Sequence, residues 1–312
     1  MMDYNEWCHR LVIVRGGGDI ATGTVHKLFR CGFSLLILEI ENPRCIRRTV
    51  SFSEAVYDGE AIVEGVKAVK ASAIEEAYEI YQRGHIPLLV DPEGDMIRVC
   101  HPAVLVDAIL AKRNLGTRIE DAPLVIAFGP GFVAGEDAHA VIETKRGHDL
   151  GRVIYEGEAA SNTSTPGVIA GYGRERVIHA PADGCLHILK DIGQVVSKGD
   201  PIAEVIPGQV EASGGSYRLK QISHLNPVLV TASIDGIVRG MLRDGYSVKE
   251  GMKMADIDPR LEETQNFTRI SDKARCIAGG VLEVIISHRA DEDKEEKFPS
   301  NDSKMLKKVI FC

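Results

Sequence analysis

The sequence lacks the features that mark several protein classes. Its seven cysteines include no C-x-x-C pair, so neither a zinc knuckle nor a disulfide framework is expected. Its formal charge is −8 and its pI about 5.7, whereas a nucleic-acid-binding protein normally has a strongly basic face. No apolar run approaches the roughly 18 residues of a membrane span, and the first residues lack a signal-peptide pattern. We therefore expect a cytoplasmic protein that binds neither nucleic acid nor membrane.

The sequence pattern divides the 312 residues into about two domains. Residues 1–175 alternate apolar runs with helical patterns and predict an α/β Rossmann-like domain. Its sheet is predicted to be parallel and buried on both faces, because the apolar runs are continuous. Residues 176–260 contain short strands punctuated by glycine and predict an all-β module. Residues 261–290 are predicted to return to the α/β body, and residues 291–312 to form a polar tail.

The predicted β module contains an internal repeat with an offset of 52 residues. Asp183, Gly184, Gly193 and Gly199 correspond to Asp235, Gly236, Gly245 and Gly251. Two such halves resemble the barrel-sandwich architecture of lipoyl and biotinyl carrier domains. Met252-Lys253-Met254 resembles a biotinylation signal, but carrier domains place the modified lysine on the hairpin between the halves. Because this lysine follows the last glycine of the second half, we expect a structural module without biotin or lipoate.

A glycine-rich turn carries the clearest chemical signal. Gly16-x-Gly18-x-x-Ala21 follows a predicted strand and opens a helical pattern, which is the context of a dinucleotide-binding fingerprint. Free N–H groups at a helix N-terminus attract phosphate. The candidate phosphate-binding residues are Gly16, Gly17, Gly18, Asp19, Thr22 and Gly23. Asp19 would repel a phosphate unless it caps the helix, and a purely structural turn is the alternative.

The second predicted strand ends in an acid, Glu39, 21 residues after Gly18. An acid at this place in the fingerprint accepts hydrogen bonds from the ribose hydroxyls of a dinucleotide. A basic cluster of Arg44, Arg47 and Arg48 follows it closely.

Further candidates lie at 112–114 after an apolar run, in the sharp turn 129–131 after another, and in the segment 146–149, and the carboxyl ends of strands are where open α/β sheets bind ligands. They are Lys112, Arg113, Asn114, Gly129, Gly131, Arg146, His148 and Asp149. A solvated surface charge is the alternative for each charged member. No H-E-x-x-H signature and no nucleophile–base spacing is present, so we predict no metal site and name no catalytic residue.

Eight stretches of the sequence together resemble one family. They are RGGGDIATG (15–23), RRTVSFSEAVYDGEA (47–61), VDAILAKRNLGTRI (106–119), GPGFVAGEDAHAVIET (129–144), RGHDLGRVIYEG (146–157), APADG (180–184), GMKMADIDPR (251–260) and ISDKARCIAGGVLE (270–283). In these stretches the chain is similar to the YqeB family, the selenium-dependent molybdenum hydroxylase maturation proteins. The resemblance also implies kinship with the XdhC-type chaperones, which have a Rossmann domain and help to load a finished molybdopterin cofactor.

The sequence leaves three functions open. The first is a maturation protein that binds an anionic cofactor, a molybdopterin-type dinucleotide or another nucleotide, and inserts or modifies it for a client molybdenum hydroxylase. The second is an NAD(P)-dependent oxidoreductase, although no Tyr-x-x-x-Lys pair supplies a proton donor. The third is a non-catalytic scaffold that docks the client through an exposed apolar patch on residues 180–258. Fold alone does not choose among them, and a homodimer is expected only because symmetric pairs are common.

Overall fold

The computed structural model describes residues 2–161, 168–213, 216–222, 225–263 and 265–297. The strands are β1 (Val12–Arg15), β2 (Leu35–Glu39), β3 (Glu60–Val63), β4 (Val66–Ala71), β5 (Ile86–Val90), β6 (Val104–Asp107), β7 (Leu124–Phe128), β8 (Val133–Ala134), β9 (Ala140–Ile142), β10 (Val153–Ile154), β11 (Gly157–Glu158), β12 (Val177–His179), β13 (Gly184–Ile188), β14 (Val195–Val196), β15 (Pro201–Ser213), β16 (Ser216–Ile222), β17 (Val228–Thr231), β18 (Gly236–Met241), β19 (Ser247–Val248) and β20 (Lys253–Asp258). The α-helices are α1 (Tyr4–Arg10), α2 (Asp19–Arg30), α3 (Ala55–Asp58), α4 (Ile74–Gln82), α5 (Asp95–Cys100) and α6 (Asp272–Lys297).

A nine-stranded mixed sheet has the order β10-β9-β7-β6-β1-β2-β5-β4-β3. Its inner pairs are parallel, and its two outermost pairs, β9 with β10 and β4 with β3, are antiparallel. The prediction of a parallel sheet is therefore confirmed for the inner strands, whereas the sheet as a whole is mixed. The chain reaches β4 from β3 through a two-residue turn, Glu64-Gly65, in which both residues have positive φ. Such a hairpin gives an antiparallel pair, whereas a parallel pair needs a longer crossover.

Helices cover both faces of this sheet, which explains the continuous apolar strands. On one face, α2 and α6 bury residues such as Leu28 and Val281 against the strands. On the other face, α1, α4 and α5 bury Trp7, Ile80 and Ile97. Each fully buried aliphatic side chain of this size contributes roughly 1.5–3 kcal/mol. These two apolar clusters therefore provide most of the stabilisation of the sheet.

The last helix returns the chain to the mixed sheet after the β strands of the second part. Helix α6 packs beside α2, and a Cβ atom placed on Gly23 would lie 2.7 Å from that of Ala274. Residues 291–297, which begin the predicted polar tail, continue α6 to Lys297. They are mostly Glu, Lys and Asp, and the first two favour helix. The rest of the predicted tail, 298–312, lies outside the described residues, and no described helix is apolar and long enough to cross a membrane.

Two antiparallel sheets make up the second part. One has the order β12-β20-β18-β14, and the other has the order β16-β15-β13-β19, with β17 also paired to β15. Leu186, Val205, Val238, Met254 and Ile257 belong to a shared buried cluster between them.

The offset of 52 residues recurs in the contacts of these sheets. Strand β13 of the first half pairs with β19 of the second, and β18 of the second half pairs with β14 of the first. Each half therefore adds a short strand to the sheet of the other. The Gly193 amide donates to the Val238 carbonyl, and the Gly245 amide donates to the Leu186 carbonyl, both at 2.8 Å. The two halves therefore make reciprocal hydrogen bonds.

The antiparallel sheets lie against the segment that follows β2. The Arg48 Nε donates to the Met241 carbonyl at 2.9 Å, and Arg243 pairs with Glu54 at 2.9 Å. A Cβ atom on Gly240 would lie 2.9 Å from the Ile46 carbonyl oxygen, so only glycine permits this approach. This contact brings β18 and β20 close to the glycine turn after β1.

Candidate ligand-binding site

A cleft of about 650 Å³ opens at the carboxyl ends of β1, β2, β5 and β6. It is lined by Arg15, Gly16, Gly18, Asp19, Ile20, Ala21, Leu38, Glu39, Ile40, Pro43, Arg44, Cys45, Ser53, Asp91, Pro92, Glu93, Ala108, Ile109, Leu110, Ala111, Arg113 and Leu115. Strand β1 pairs with β2 on one side and with β6 on the other, so the order of the strands in the sheet reverses at β1. Open α/β sheets bind ligands at such a reversal of strand order.

The three glycines after β1 have different surroundings. Gly16 has a φ of +97°, and a Cβ atom there would lie 3.2 Å from the Ala108 carbonyl oxygen. A Cβ atom on Gly17 would lie 3.0 Å from the Ser53 nitrogen. Gly18 is the N-cap of α2, and a Cβ atom there would meet nothing within 4 Å. The first two glycines thus allow tight packing, while Gly18 leaves open space at the helix N-terminus.

Glu39 holds the glycine turn in place. Its Oε1 accepts a hydrogen bond from the Gly17 amide at 2.7 Å, and its Oε2 accepts one from the Ile40 amide at 2.8 Å. Burial raises the pKa of this carboxyl group, although the two hydrogen bonds act in the opposite direction. Each carboxylate oxygen can accept a further hydrogen bond. The side chain can therefore support the turn and still accept hydroxyl groups from the cleft.

Asp19 begins α2 and is not its capping residue. Its carboxylate lies 3.7 Å from Nη1 of the buried Arg47. The Cys45 thiol borders the same cleft, and burial followed by the charge of Asp19 raises its pKa to about 12. The thiol is therefore neutral near pH 7, and Asp19 is balanced by a cation rather than used as a cap.

Thr22 and Gly23 lie behind the turn and do not line the cleft. The buried Thr22 hydroxyl donates to the Gly17 carbonyl at 3.0 Å and accepts from the Phe52 amide at 2.9 Å. Gly23 faces Ala274 of α6. Both residues therefore stabilise the turn and the helix pair, and the structure places neither of these two predicted phosphate-binding residues in the lining of the cleft.

Of the three candidates at 112–114, only Arg113 lines the cleft and lies against one of the two candidate glycines after β7. Arg113 lines the cleft, and a Cβ atom on Gly131 would lie 2.5 Å from the Arg113 Cα. Lys112 does not line the cleft and has a φ of +63°. Asn114 shapes the loop, since its Oδ1 accepts the Gly116 and Thr117 amides. A Cβ atom on Gly129 would meet Thr144.

Arg146, His148 and Asp149 also do not line the cleft. Arg146 makes a bidentate pair with Asp272 at 2.7 and 3.0 Å. This contact lowers the pKa of Asp272 to about 2. Asp149 pairs with Arg152 at 3.4 Å on an exposed turn. The segment therefore attaches the loop after β9 to the start of α6, and the structure does not bring these three predicted site residues to the cleft.

Two acids at the ends of strands were not among the residues predicted from the sequence. Asp91 follows β5 and accepts amide hydrogen bonds from Gly94, Asp95 and Met96, which orders the start of α5. Asp107 ends β6 and accepts the Thr117 hydroxyl at 2.7 Å. Their position directly after apolar runs was the available signal. No group of His, Cys, Asp and Glu suited to a metal ion occurs among the residues that the structure describes.

Comparisons with known proteins give one relative of high identity. No family model matches the chain. The chain is 48% identical over 278 residues to YqeB, an uncharacterized protein of Escherichia coli (strain K12). The match covers 89% of the chain and 48% of YqeB, so the chain spans about half the length of that relative.

Solved structures match only weakly. The product-bound ectoine utilization protein EutE (DoeB) from Ruegeria pomeroyi has a TM-score of 0.21 and 23% identity, over 33% of this chain and 27% of that one. Its apo structure has a TM-score of 0.25 and 12% identity, over 80% and 86%. A succinylglutamate desuccinylase from Silicibacter sp. TM1040 has a TM-score of 0.24 and 12% identity, over 80% and 84%. The sequence similarity to YqeB extends over 89% of this chain, which supports its placement in the YqeB family.

Proposed function

We propose that the cleft binds a molybdopterin-type dinucleotide and that the protein is an accessory protein for selenium-dependent molybdenum hydroxylases, acting in insertion or modification of the cofactor. The observation that carries the proposal is the open N-terminus of α2 at Gly18, which shares the cleft with Glu39. The volume of about 650 Å³ lies within the range of small-molecule and cofactor sites.

The helix N-terminus supplies the phosphate contacts in this proposal. The amides of the first helical turn have no partner within a helix and carry a partial positive charge. Gly18, Ile20 and Ala21 of this turn line the cleft. With no side chain at Gly18, a phosphate can approach the amides directly. Glu39 would accept ribose hydroxyls, and Arg113 adds a cation to the lining of the same cleft.

The strand order supports a Rossmann-like assignment for the mixed sheet. The order β5-β2-β1-β6-β7 within the sheet is the 3-2-1-4-5 order of dinucleotide-binding folds. The reciprocal contacts of the two β halves support a barrel-sandwich assignment for the antiparallel sheets. Bound there, the cofactor would supply the redox and molybdenum chemistry, and the residues of this chain would hold it and exclude water.

Native mass spectrometry of the purified chain tests this function. The protein is measured alone, with a molybdopterin dinucleotide, and with NAD at the same concentration. Selective retention of the molybdopterin dinucleotide is expected. Retention of NAD alone would replace the proposal by the oxidoreductase function, and retention of neither would favour a scaffold that docks a client hydroxylase.

A further inference from the structure

A second cleft, of about 380 Å³, adjoins the first between the glycine turn and the antiparallel sheets. It is lined by Asp19, Arg44, Cys45, Ile46, Arg47, Arg239, Met252, Lys253 and Asp256. Asp19, Arg44 and Cys45 line both clefts. A ligand at the N-terminus of α2 could therefore extend from one cleft into the other.

Arg47 lies in this second cleft with unused hydrogen-bond donors. Its side chain is only 6% exposed. Its Nη2 donates to the carbonyls of Asn266 and Arg269 at 3.2 and 3.0 Å. Its Nε and Nη1 have no hydrogen-bond partner among the described residues, and the Asp19 carboxylate is 3.7 Å from Nη1. A buried charged donor without a partner is costly, so these atoms indicate a place for an acceptor that a ligand brings.

The other charged groups of the second cleft favour an anion. Arg44, Arg239 and Lys253 add three cations, against the carboxylates of Asp19 and Asp256. Asp256 is already engaged, since it pairs with Arg176 at 2.7 Å and with Arg239 at 3.0 Å. Removal of surrounding water lowers the pKa of Lys253, although part of this side chain remains exposed. An excess of positive charge therefore remains for a ligand.

We propose that the second cleft is an anion subsite that binds a phosphoryl group through Arg47 and Lys253. This proposal rests on the proposed function in that one ligand occupies both clefts. The phosphoryl group in the second cleft then belongs to the half of that ligand that extends beyond the first cleft. The charge of the subsite distinguishes ligand classes. The nicotinamide half of oxidised NAD also carries a phosphate, but its ring is cationic, so it gains less from the positive charge of the subsite than a half whose ring system is neutral.

The structure also gives Lys253 a role different from that of a carrier lysine. It is the first residue of β20, and it lies in a cleft between the two parts of the chain. A lysine in such a place binds phosphate as a point charge. Met254 is buried in the β core and the partly buried Met252 packs against it, as flexible apolar side chains do.

Isothermal titration calorimetry on the full chain tests the subsite with two probes, inorganic pyrophosphate and AMP. The variant is Lys253→Met, and the matched control is Lys198→Met, an exposed lysine of the same β part that lines neither cleft. We expect pyrophosphate to bind the Lys253→Met protein about tenfold more weakly than the wild type, as for loss of one charge-assisted hydrogen bond. The control should bind as the wild type does, and AMP affinity should stay within about twofold in both variants.

The outcomes separate the two proposals. Equal pyrophosphate affinity in Lys253→Met and wild-type protein would overturn the subsite. If AMP still bound in that case, the proposed function of the first cleft would stand. Pyrophosphate binding that depends on Lys253, without any AMP binding, would support the subsite and count against a nucleotide in the first cleft. Arg47→Gln provides a second test, with circular dichroism to verify folding, because its Nη2 also supports the 266–269 segment.

Discussion

The Gly17 amide donates to Oε1 of Glu39 at 2.7 Å, which joins the turn after β1 to the end of β2. The two halves of the dinucleotide fingerprint are therefore in direct contact in this protein. The acid both shapes the turn and borders the cleft. Its protonation state should consequently affect ligand binding.

Nucleotide affinity should rise with pH through the pKa of Glu39. Burial raises this pKa above its ordinary value. A ligand that donates hydroxyl groups to the carboxylate stabilises its ionised form, so binding favours loss of the proton. We expect AMP affinity to fall as the pH decreases through the raised pKa, measured by calorimetry between about pH 7 and pH 4.

Glu39→Gln should remove the part of this pH dependence that comes from Glu39, leaving the part due to the AMP phosphate, whose second pKa is about 6, and should weaken AMP binding by roughly tenfold. The matched control is Glu41→Gln, since Glu41 is exposed and does not line the cleft. An unchanged pH profile in Glu39→Gln would show that another group titrates.

Gly23→Ala should destabilise the protein without altering ligand binding. The added Cβ atom would lie 2.7 Å from that of Ala274 and would separate α2 from α6. Overpacking of this kind costs about 1–3 kcal/mol in the free energy of unfolding. Gly18→Ser, in open space on the same helix, is the control and should not lower stability, because serine is a good N-cap. Urea unfolding of both variants makes the comparison, and equal stabilities would contradict the packing role of Gly23.

Arg146→Met should leave nucleotide affinity unchanged, because the side chain pairs with Asp272 away from the cleft. Its effect on stability should be below about 1 kcal/mol, since both partners are exposed. The Asp272 pKa is lowered to about 2, so the stabilisation is present above the ordinary aspartate pKa and is lost as the pH falls toward 2. Thermal unfolding of both proteins at pH 7 and pH 2 measures this difference. A weaker nucleotide affinity in the variant would show that Arg146 contributes to ligand binding.

The sequence predicted those features that depend on local pattern. The apolar run 11–15, the glycines and the run 34–39 predicted β1, the turn, α2 and β2, because strand, turn and helix have distinct periodicities. Gly16 and Gly18 could be placed in the cleft, since the fingerprint fixes their position relative to the helix. The antiparallel edges of the sheet were not predicted, because no strand was assigned to residues 60–71 and the direction in which β10 pairs with β9 cannot be read from either strand alone.

Contacts between distant segments could not be read from the sequence. Thr22 has the spacing of a phosphate ligand, yet its hydroxyl binds the Phe52 amide. Arg146 follows an apolar run, yet it pairs with Asp272, 126 residues later. Lys253 enters the second cleft only because β20 packs near the segment after β2. Each case depends on tertiary packing, which overrides the local pattern.

The most direct test of a phosphate site at the N-terminus of α2 is a calorimetric measurement of how tightly a molybdopterin dinucleotide binds to the wild-type, Gly18→Asp and Gly18→Asn proteins. Both side chains enter open space and can cap α2, so neither should lower the melting temperature. A carboxylate at this position repels phosphate, whereas the amide of equal size does not. Gly18→Asp is expected to lose at least about tenfold in affinity, and Gly18→Asn much less. Equal binding by a folded Gly18→Asp protein would contradict a phosphate site at the N-terminus of α2.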